Sequence, residues 1–178
     1  MNDVVFYVVT FIFRIVSFLF VARFLLQACR VDFYNPLSQG FIKATDPVLQ
    51  PLRKILPGYR NFDFASLLAA VLADVIMIFA IGALAGQMLG DVLQIFVGAI
   101  IGVALLIARI FWWSILIVIV ASFVAQGRSH PALNLLQQIT EPLLAPARRL
   151  LPPMGGLDFS PILVFLLLGV VERILQQV

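Results

Sequence analysis

The sequence predicts an all-α membrane protein made of two parallel repeats, each with a membrane span, an interfacial amphipathic loop helix and a second span, giving four transmembrane helices. Three observations predict this fold: a polar block that occurs twice, long apolar runs on both sides of each copy, and cationic residues gathered in the two copies. Hydrophobic residues make up 62% of the 178 residues and charged residues only 12%. Soluble domains carry about twice that charge, so a water-soluble globular domain is excluded.

The polar block is an internal duplication. Residues 45–57 read T-D-P-V-L-Q-P-L-R-K-I-L-P, and residues 140–152, 95 positions later, read T-E-P-L-L-A-P-A-R-R-L-L-P. The same offset relates three further pairs, Asn35 and His130, Asp63 and Asp158, and Arg14 and Arg109. A constant offset that continues outside the block indicates a duplicated unit. We therefore divide the chain into a first repeat, residues 1–90, and a second repeat, residues 91–178.

Four segments are long and apolar enough to cross a bilayer, which takes about 20 residues. They lie at residues 4–29, 64–86, 92–125 and 159–175. The third exceeds what a crossing needs, so we expect it to tilt, bend or begin at the interface. Asn2 and Asp3 stand where a secretory signal peptide has basic residues, and we expect the first helix to be retained.

The Lys and Arg residues set the predicted orientation. Residues 30–63 contain five of them and residues 126–158 contain three, whereas the connection at residues 87–91 contains none. Because cationic loops stay on the cytoplasmic side, both repeated loops are predicted to face the cytoplasm. Both termini and the central connection then lie on the outer side. The two repeats share one orientation, which makes them parallel repeats.

The duplicated block has the pattern of a short amphipathic helix. In residues 48–56 and 143–151, apolar side chains recur with the spacing i, i+1, i+4, i+7 and i+8, which places them on one helical face. A helix of this kind between two spans lies in the headgroup plane. We expect Thr45 and Thr140 to cap the helix, Pro47 and Pro142 to occupy its first turn, Pro51 and Pro146 to kink it, and Pro57 and Pro152 to end it.

The polar face of each predicted loop helix is basic. It carries Arg53 and Lys54 in the first repeat and Arg148 and Arg149 in the second. Two interpretations stay open. The cations can bind the phosphates of lipid headgroups, or they can form a cytoplasmic docking surface for a partner protein. Duplication fits both interpretations, because it presents the same patch twice.

Asp63 and Asp158 each precede an apolar run and follow a turn. This position is typical of a helix N-cap, where a carboxylate meets free N–H groups and the positive end of the helix dipole. A metal or proton role would need converging ligands, and the sequence places none nearby. We therefore expect both aspartates to cap the spans that follow them.

Three ionisable residues fall near the middle of apolar runs, namely Arg14, Asp74 and Arg109. Such charges are costly inside a bilayer and usually face protein or water. We expect either a buried ion pair of Asp74 with Arg14 or Arg109, or an ion or proton path through the helices. Arg23, closer to the cytoplasmic end, is expected to snorkel toward the headgroups.

No pattern of residues supports catalysis. The sequence contains one cysteine, Cys29, and one histidine, His130. Neither a catalytic triad, nor a phosphate-binding glycine loop, nor a metal-ligand spacing accompanies them. We therefore predict no enzymatic activity, no cofactor, no metal site and no nucleic-acid partner.

The duplicated motif T-[DE]-P-x-L-x-P-x-R-[KR]-x-L-P, followed by Asp-Phe and an apolar span, resembles the YggT family of small multi-pass bacterial membrane proteins, which has relatives in plastids. The resemblance covers nearly the whole chain and implies a place in the bacterial inner membrane. Relatives in this family are linked to osmotic tolerance and potassium handling, to placement of the division machinery and, in plastids, to haem attachment during cytochrome assembly.

Two functional hypotheses follow from the residues and the resemblance. The first is a non-enzymatic membrane organiser or assembly factor that acts through the cytoplasmic loop helices. The second is an ion-transport or osmotic-stress component that uses the intramembrane charges. The first is favoured because the strongest repeated pattern lies in the loops. Expected partners are the anionic lipids of the inner leaflet and a membrane or cytoplasmic protein still to be identified, and self-association is left open.

Overall fold

A computed structural model describes residues 2–86, 91–124, 130–151 and 158–177 of the chain. Within these ranges the protein is helical, which confirms the predicted fold class. The helices, in chain order, are α1 Asn2–Ala28, α2 Pro36–Ile55, α3 Phe64–Ala85, α4 Val92–Val124, α5 Pro131–Leu150 and α6 Ser160–Leu175. The order of span, loop helix and further apolar helix therefore occurs twice.

Three of the helices are long and apolar enough to span a membrane: α1 over Asp3–Ala28, α3, and α4 over Val92–Phe123. α6 has 16 residues, and at 1.5 Å per residue it is about 24 Å long, less than the ~30 Å of the hydrocarbon core. The fourth predicted span therefore stays a prediction. α4 has 33 residues, and its length of about 50 Å exceeds a perpendicular crossing, as its sequence indicated.

The loop helices are longer than predicted, because they begin before the predicted caps Thr45 and Thr140. α2 starts at Pro36 and α5 at Pro131, so a proline occupies the first turn, where its missing N–H costs nothing. The preceding residue supplies the cap. Asn35 Oδ1 accepts a hydrogen bond from the N–H two residues later at 2.9 Å, and His130 Nδ1 accepts one at 3.2 Å. The lone histidine thus has a local structural role.

The expectation that Thr45 and Thr140 cap these helices is wrong. Both lie in the middle of their helices, and each hydroxyl donates a hydrogen bond to a carbonyl one turn earlier. Thr45 donates to Phe41 at 2.7 Å, and Thr140 donates to Leu136 at 3.0 Å. The helices start nine residues earlier because the Asn-Pro and His-Pro pairs combine a side-chain acceptor with a φ that is already helical.

The prolines of the block consequently lie inside helices rather than in a first turn. Four of them are internal: Pro47, Pro51, Pro142 and Pro146. Each removes one backbone hydrogen bond from its helix. α2 ends at Ile55, shortly before Pro57, as the sequence predicted, whereas Pro152 lies outside the described residues.

The helices pack into two compact units that do not coincide with the sequence repeats. The first unit contains Met1–Phe24 and Phe41–Leu106, and the second contains Leu25–Gly40 and Ile107–Val178. The boundaries fall within α1, α2 and α4. The duplicated stretch of sequence is therefore not a separate packing unit.

The core of the first unit is built from small and aliphatic side chains. Val75 of α3 packs with Ile95 and Ala99 of α4. Small residues allow helices to approach closely inside a membrane. On α3 four buried alanines lie close together: Ala65, Ala69, Ala70 and Ala73.

The core of the second unit joins three helices. Ile115 of α4 packs with Leu144 and Ala147 of α5 and with Val164 of α6. Leu144 and Ala147 belong to the apolar face that the sequence predicted for the second loop helix. That face therefore packs at least partly against protein.

Candidate functional site

Arg53, near the end of α2, contacts two carboxylates. Its Nη2 donates a hydrogen bond to Asp63 Oδ2 at 2.5 Å, and its Nη1 lies 3.6 Å from Asp46 Oδ1. Asp46 precedes Arg53 by two helical turns, so both side chains lie on one face of α2. Asp63 immediately precedes α3. The arginine therefore links the loop helix to the start of the following span.

The second repeat contains the same arrangement around Arg148. Its Nε donates a hydrogen bond to Asp158 Oδ2 at 3.0 Å, and its Nη1 lies 2.9 Å from both carboxylate oxygens of Glu141. Each of these residues is 95 positions beyond its counterpart in the first repeat. We call these sets the first charge cluster, Asp46–Arg53–Asp63, and the second charge cluster, Glu141–Arg148–Asp158.

Neither Asp63 nor Asp158 fulfils the whole of the predicted capping role. Asp63 occupies the N-cap position of α3, but its side chain makes no capping hydrogen bond and accepts one from the Ser66 hydroxyl at 2.7 Å instead. Asp158 accepts a hydrogen bond from the Ser160 N–H at 2.9 Å, although Phe159 occupies the N-cap position of α6. Arginine is the partner that the two aspartates share.

The two charge clusters differ in burial. The Asp63 side chain is 1% exposed, whereas that of Asp158 is 39% exposed. Burial raises the pKa of Asp63, but hydrogen bonds from Arg53 and Ser66 outweigh it and hold the pKa below its ordinary value. Hydrogen bonds from Ser160 and then Arg148 lower the pKa of Asp158. Both aspartates are therefore ionised at neutral pH.

Arg23 of α1 adds a second cation to the first charge cluster. Its side chain is 6% exposed and interacts electrostatically with Arg53, Asp63 and Asp46. The predicted snorkelling is therefore wrong, because the guanidinium is buried inside the protein, where Asp63 and Asp46 attract it and Arg53 repels it. Its counterpart in the second repeat is Val118. The first cluster with Arg23 has two cations and two anions, whereas the second has one cation and two anions.

Lys54 and Arg149 belong to neither cluster. Both are exposed, and within the described part of the chain neither forms an ion pair. The basic face predicted from the sequence therefore divides in two. Arg53 and Arg148 contact carboxylates of the same chain, whereas Lys54 and Arg149 are exposed.

The predicted apolar face of α2 is divided as well. Leu49 is 0% exposed, whereas its neighbour Val48 is 47% exposed and Ile55 is also exposed. With 3.6 residues per turn, Val48 and Ile55 lie only about 20° apart around the helix, beside the packed face. Further exposed small and apolar residues extend this row along the helix. We call the row the outer apolar stripe: Ala44, Val48, Pro51 and Ile55.

Asp74 lies halfway along α3 in the first unit. Ser17 of α1 lies close enough to influence its carboxyl group, and Arg14 acts on it through its charge. Arg14 is nevertheless exposed, and among the described residues of this unit it forms no ion pair with Asp74 within 4.0 Å. It lies about 60° around α1 from Ser17, which faces α3. The alternative partner, Arg109, belongs to the second unit, and that pair stays a prediction.

The CCB3/YggT family matches residues 2–84 and again residues 92–178. The chain belongs to the CCB3/YggT family. An uncharacterized protein of Pseudomonas aeruginosa is 42% identical over 153 residues, 85% of this chain and 78% of the relative. The uncharacterized protein YggT of Escherichia coli K12 is 35% identical over 178 residues, 100% of this chain and 92% of the relative. No solved structure matches the chain.

The family assignment confirms the duplication as two tandem CCB3/YggT segments. Each segment contains one complete charge cluster, since residues 46–63 fall in the first and residues 141–158 in the second. A protein of Vibrio alginolyticus, from the region 3′ of proC, is similar too, being 38% identical over 170 residues, 93% of this chain and 89% of the relative.

This CCB3/YggT protein also has an open surface pocket on α5 that was not predicted from the sequence. Its volume is about 270 Å³, and one helical face lines it with Asn134, Gln137, Gln138 and Glu141. The spacing i, i+3, i+4 and i+7 of these polar residues is the signal that could have revealed it. Gln138 Oε1 accepts a hydrogen bond from the Asp32 N–H at 2.7 Å.

The lone Cys29 of the CCB3/YggT chain is partly buried. Burial raises its pKa to about 11, so the thiol stays protonated at neutral pH. A protonated thiol is a poor nucleophile and a poor metal ligand.

Proposed function

We propose that this CCB3/YggT protein is a non-enzymatic membrane organiser or assembly factor that holds a partner protein at the cytoplasmic membrane face through α2 and α5. The main support is that Lys54 and Arg149 are exposed at equivalent positions, each beside a charge cluster. Each cluster fixes its loop helix to the chain segment that leads into the next helix. Binding to a fixed surface costs less conformational entropy than binding to a loose loop.

The distribution of buried, apolar and polar side chains around α2 supports a location at the membrane surface. Thr45 and Leu49 are buried against the protein, and the outer apolar stripe is exposed beside them. Lys43, Gln50 and Lys54 form a third, exposed and polar sector. An apolar stripe next to cations suits the boundary between acyl chains and headgroups. In this orientation the stripe contacts lipid and the cations face the cytoplasm.

The cations define the chemistry of the proposed partner. Lys54 and Arg149 attract anionic groups, and a lipid surface contributes about 1 kcal/mol for each cation near it. Dedicated sites for anionic lipids gather about four to eight cations, more than each loop helix exposes. We therefore assign an acidic segment of a protein as the ligand of Lys54 and Arg149, and lipid as the ligand of the outer apolar stripe.

The rival proposal, an ion-transport or osmotic-stress component, is supported by Asp74. A span that serves only as an anchor has no need of an ionisable group at mid-depth. The polar groups that act on Asp74 are Ser17 and Arg14. Two such groups are few for a path through ~30 Å of hydrocarbon. The organiser function is therefore the better supported of the two.

Replacing both Lys54 and Arg149 with Gln should abolish complementation of a deletion strain under osmotic or division stress. Glutamine has nearly the same helix propensity as lysine and arginine, so the helices and the insertion of the protein should persist. The matched control exchanges the cations, Lys54→Arg with Arg149→Lys, and should complement. Full complementation by the double Gln variant, inserted at the wild-type level, would rule out this surface.

Affinity capture from native membranes gives a direct readout of the same proposal. A protein captured by the wild type and by the exchanged control, but lost from the double Gln variant, supports the organiser function. Ion flux in proteoliposomes tests the rival. A flux that Asp74→Asn abolishes and the double Gln variant preserves would support transport instead.

A further inference from the structure

Asp74 is placed at the depth where a charge is most costly. It is the eleventh of the 22 residues of α3, so about 16 Å of helix lies on either side of it. The hydrocarbon core is ~30 Å thick, which puts the carboxyl group near the bilayer midplane. Carboxyl groups at this depth are rare and typical of sites that bind protons or ions.

Three helices of the first unit meet at this carboxyl group. The buried Ser17 of α1 donates a hydrogen bond at 3.5 Å to the carbonyl of Ala70, one turn before Asp74 on α3, and it lies close enough to influence the carboxyl group. On α4, a Cβ at Gly102 would lie 3.2 Å from Asp74 Oδ2, whereas a Cβ at Gly98 would meet nothing within 4 Å. The absence of a side chain at Gly102 therefore leaves room for a carboxyl oxygen.

The charges around Asp74 are few. From α1, Arg14 acts on it electrostatically, while Arg23 interacts with the first charge cluster. The part of α4 in this unit, residues 92–106, contains no titratable residue. Of the charged residues of α2, Asp46 and Arg53 belong to the first charge cluster, which includes Asp63 at the start of α3. Protonation of Asp74 is therefore governed by Ser17, Arg14 and the apolar surroundings.

The site occurs once, unlike the charge clusters. The counterparts of Asp74 and Ser17 in the second repeat are Gly169 and Trp112. Contacts that hold the shared scaffold together, such as the pairs around Arg53 and Arg148, are present in both repeats. Asp74 is not part of that common scaffold. A costly group kept in one repeat alone points to a task specific to the first unit.

We propose that Asp74, Ser17 and the space left at Gly102 form a proton-binding site near the bilayer midplane. The carboxylate takes up one proton from water and becomes a neutral acid, and it returns the proton to water when it ionises. The described part of the chain contains no group of three His, Cys, Asp or Glu residues able to hold a metal ion. The site does not depend on the organiser function, which would survive its failure.

Infrared spectra of the full chain, recorded in phosphatidylethanolamine–phosphatidylglycerol vesicles as the pH is stepped, test this proposal. The wild type should show a protonated-carboxyl band that titrates and that is missing from Asp74→Asn. Gly102→Ala should shift the midpoint of that titration, because the added methyl group contacts Oδ2. Gly98→Ala adds the same methyl group on the same helix in open space and should leave the midpoint unchanged.

Two outcomes would overturn the site. One is identical titrations for the wild type and Asp74→Asn. The other, which applies if Asp74→Asn fails to insert, is a carboxyl titration that neither Ser17→Ala nor Gly102→Ala shifts. If Asp74→Asn cannot be measured, a shifted titration midpoint in Ser17→Ala or in Gly102→Ala still supports the site.

Discussion

Replacing Asp63 with Ala should lower the free energy of unfolding by about 2–4 kcal/mol, slightly less than the loss expected for one partner of a fully buried ion pair. Asp63 is 1% exposed and contacts both Arg53 and Ser66. Its removal leaves the Arg53 guanidinium with the more distant Asp46, at 3.6 Å, and leaves Arg23 near one anion fewer. Reversible denaturation in mixed micelles measures this difference.

The second repeat supplies the matched control for this variant. Asp158→Ala removes the equivalent contact, but Asp158 and Arg148 are each 39% exposed. We expect a loss of only about 0.2–1 kcal/mol, as is usual for exposed pairs. Equal losses for the two variants would contradict the difference in burial. Because the pKa of both aspartates is lowered, the stabilisation is complete above their unfolded value of 3.8 and disappears as the pH falls below it.

Replacing Leu49 with Ala should cost about 2–4 kcal/mol of stability, because the cavity would form beneath α2. Leu49 is 0% exposed. The adjacent Val48 serves as the control, since it is 47% exposed on the outer apolar stripe. Val48→Ala should change the free energy of unfolding by less than about 0.5 kcal/mol, as exposed substitutions usually do. The same micelle denaturation measures both variants.

The opposite order of these two effects would mean that α2 is rotated about its axis. In that case Val48 would face the protein and Leu49 would face the lipid. The proposed location of α2 at the membrane surface, with its stripe toward lipid, would then fail. With Trp112 and Trp113 replaced by Phe, quenching of a single introduced tryptophan by brominated lipid, strong for Val48→Trp and weak for Lys54→Trp, tests that location independently of stability.

The architecture could be predicted from the sequence because two strong signals agree. The constant offset between Thr45 and Thr140 revealed the duplication, and the apolar runs revealed the spans. The starts of the loop helices could not be placed because the amphipathic pattern of the block begins only at residue 48. Asn35 and His130, which mark the true starts, stand outside that pattern.

In the sequence, the charge clusters are visible only as charged residues that recur at equivalent positions of the two repeats. An acid, an arginine and an aspartate recur with the same spacing in both repeats, at Asp46, Arg53 and Asp63 and again 95 positions later. The spacing between Asp46 and Arg53 shows that they share a helical face. Whether Asp63 joins them depends on the turn between α2 and α3, and no helical or strand periodicity describes that turn.

The central claim is that both repeated loops lie on the cytoplasmic face, where Lys54 and Arg149 form the partner surface. Cys29→Ser removes the only cysteine, so single cysteines can then be labelled with a membrane-impermeant maleimide. Lys54→Cys and Arg149→Cys should react in inverted vesicles and not in spheroplasts, and Asp91→Cys should show the reverse. Labelling of Arg149→Cys in spheroplasts would contradict the shared orientation of the repeats and the proposed surface with it.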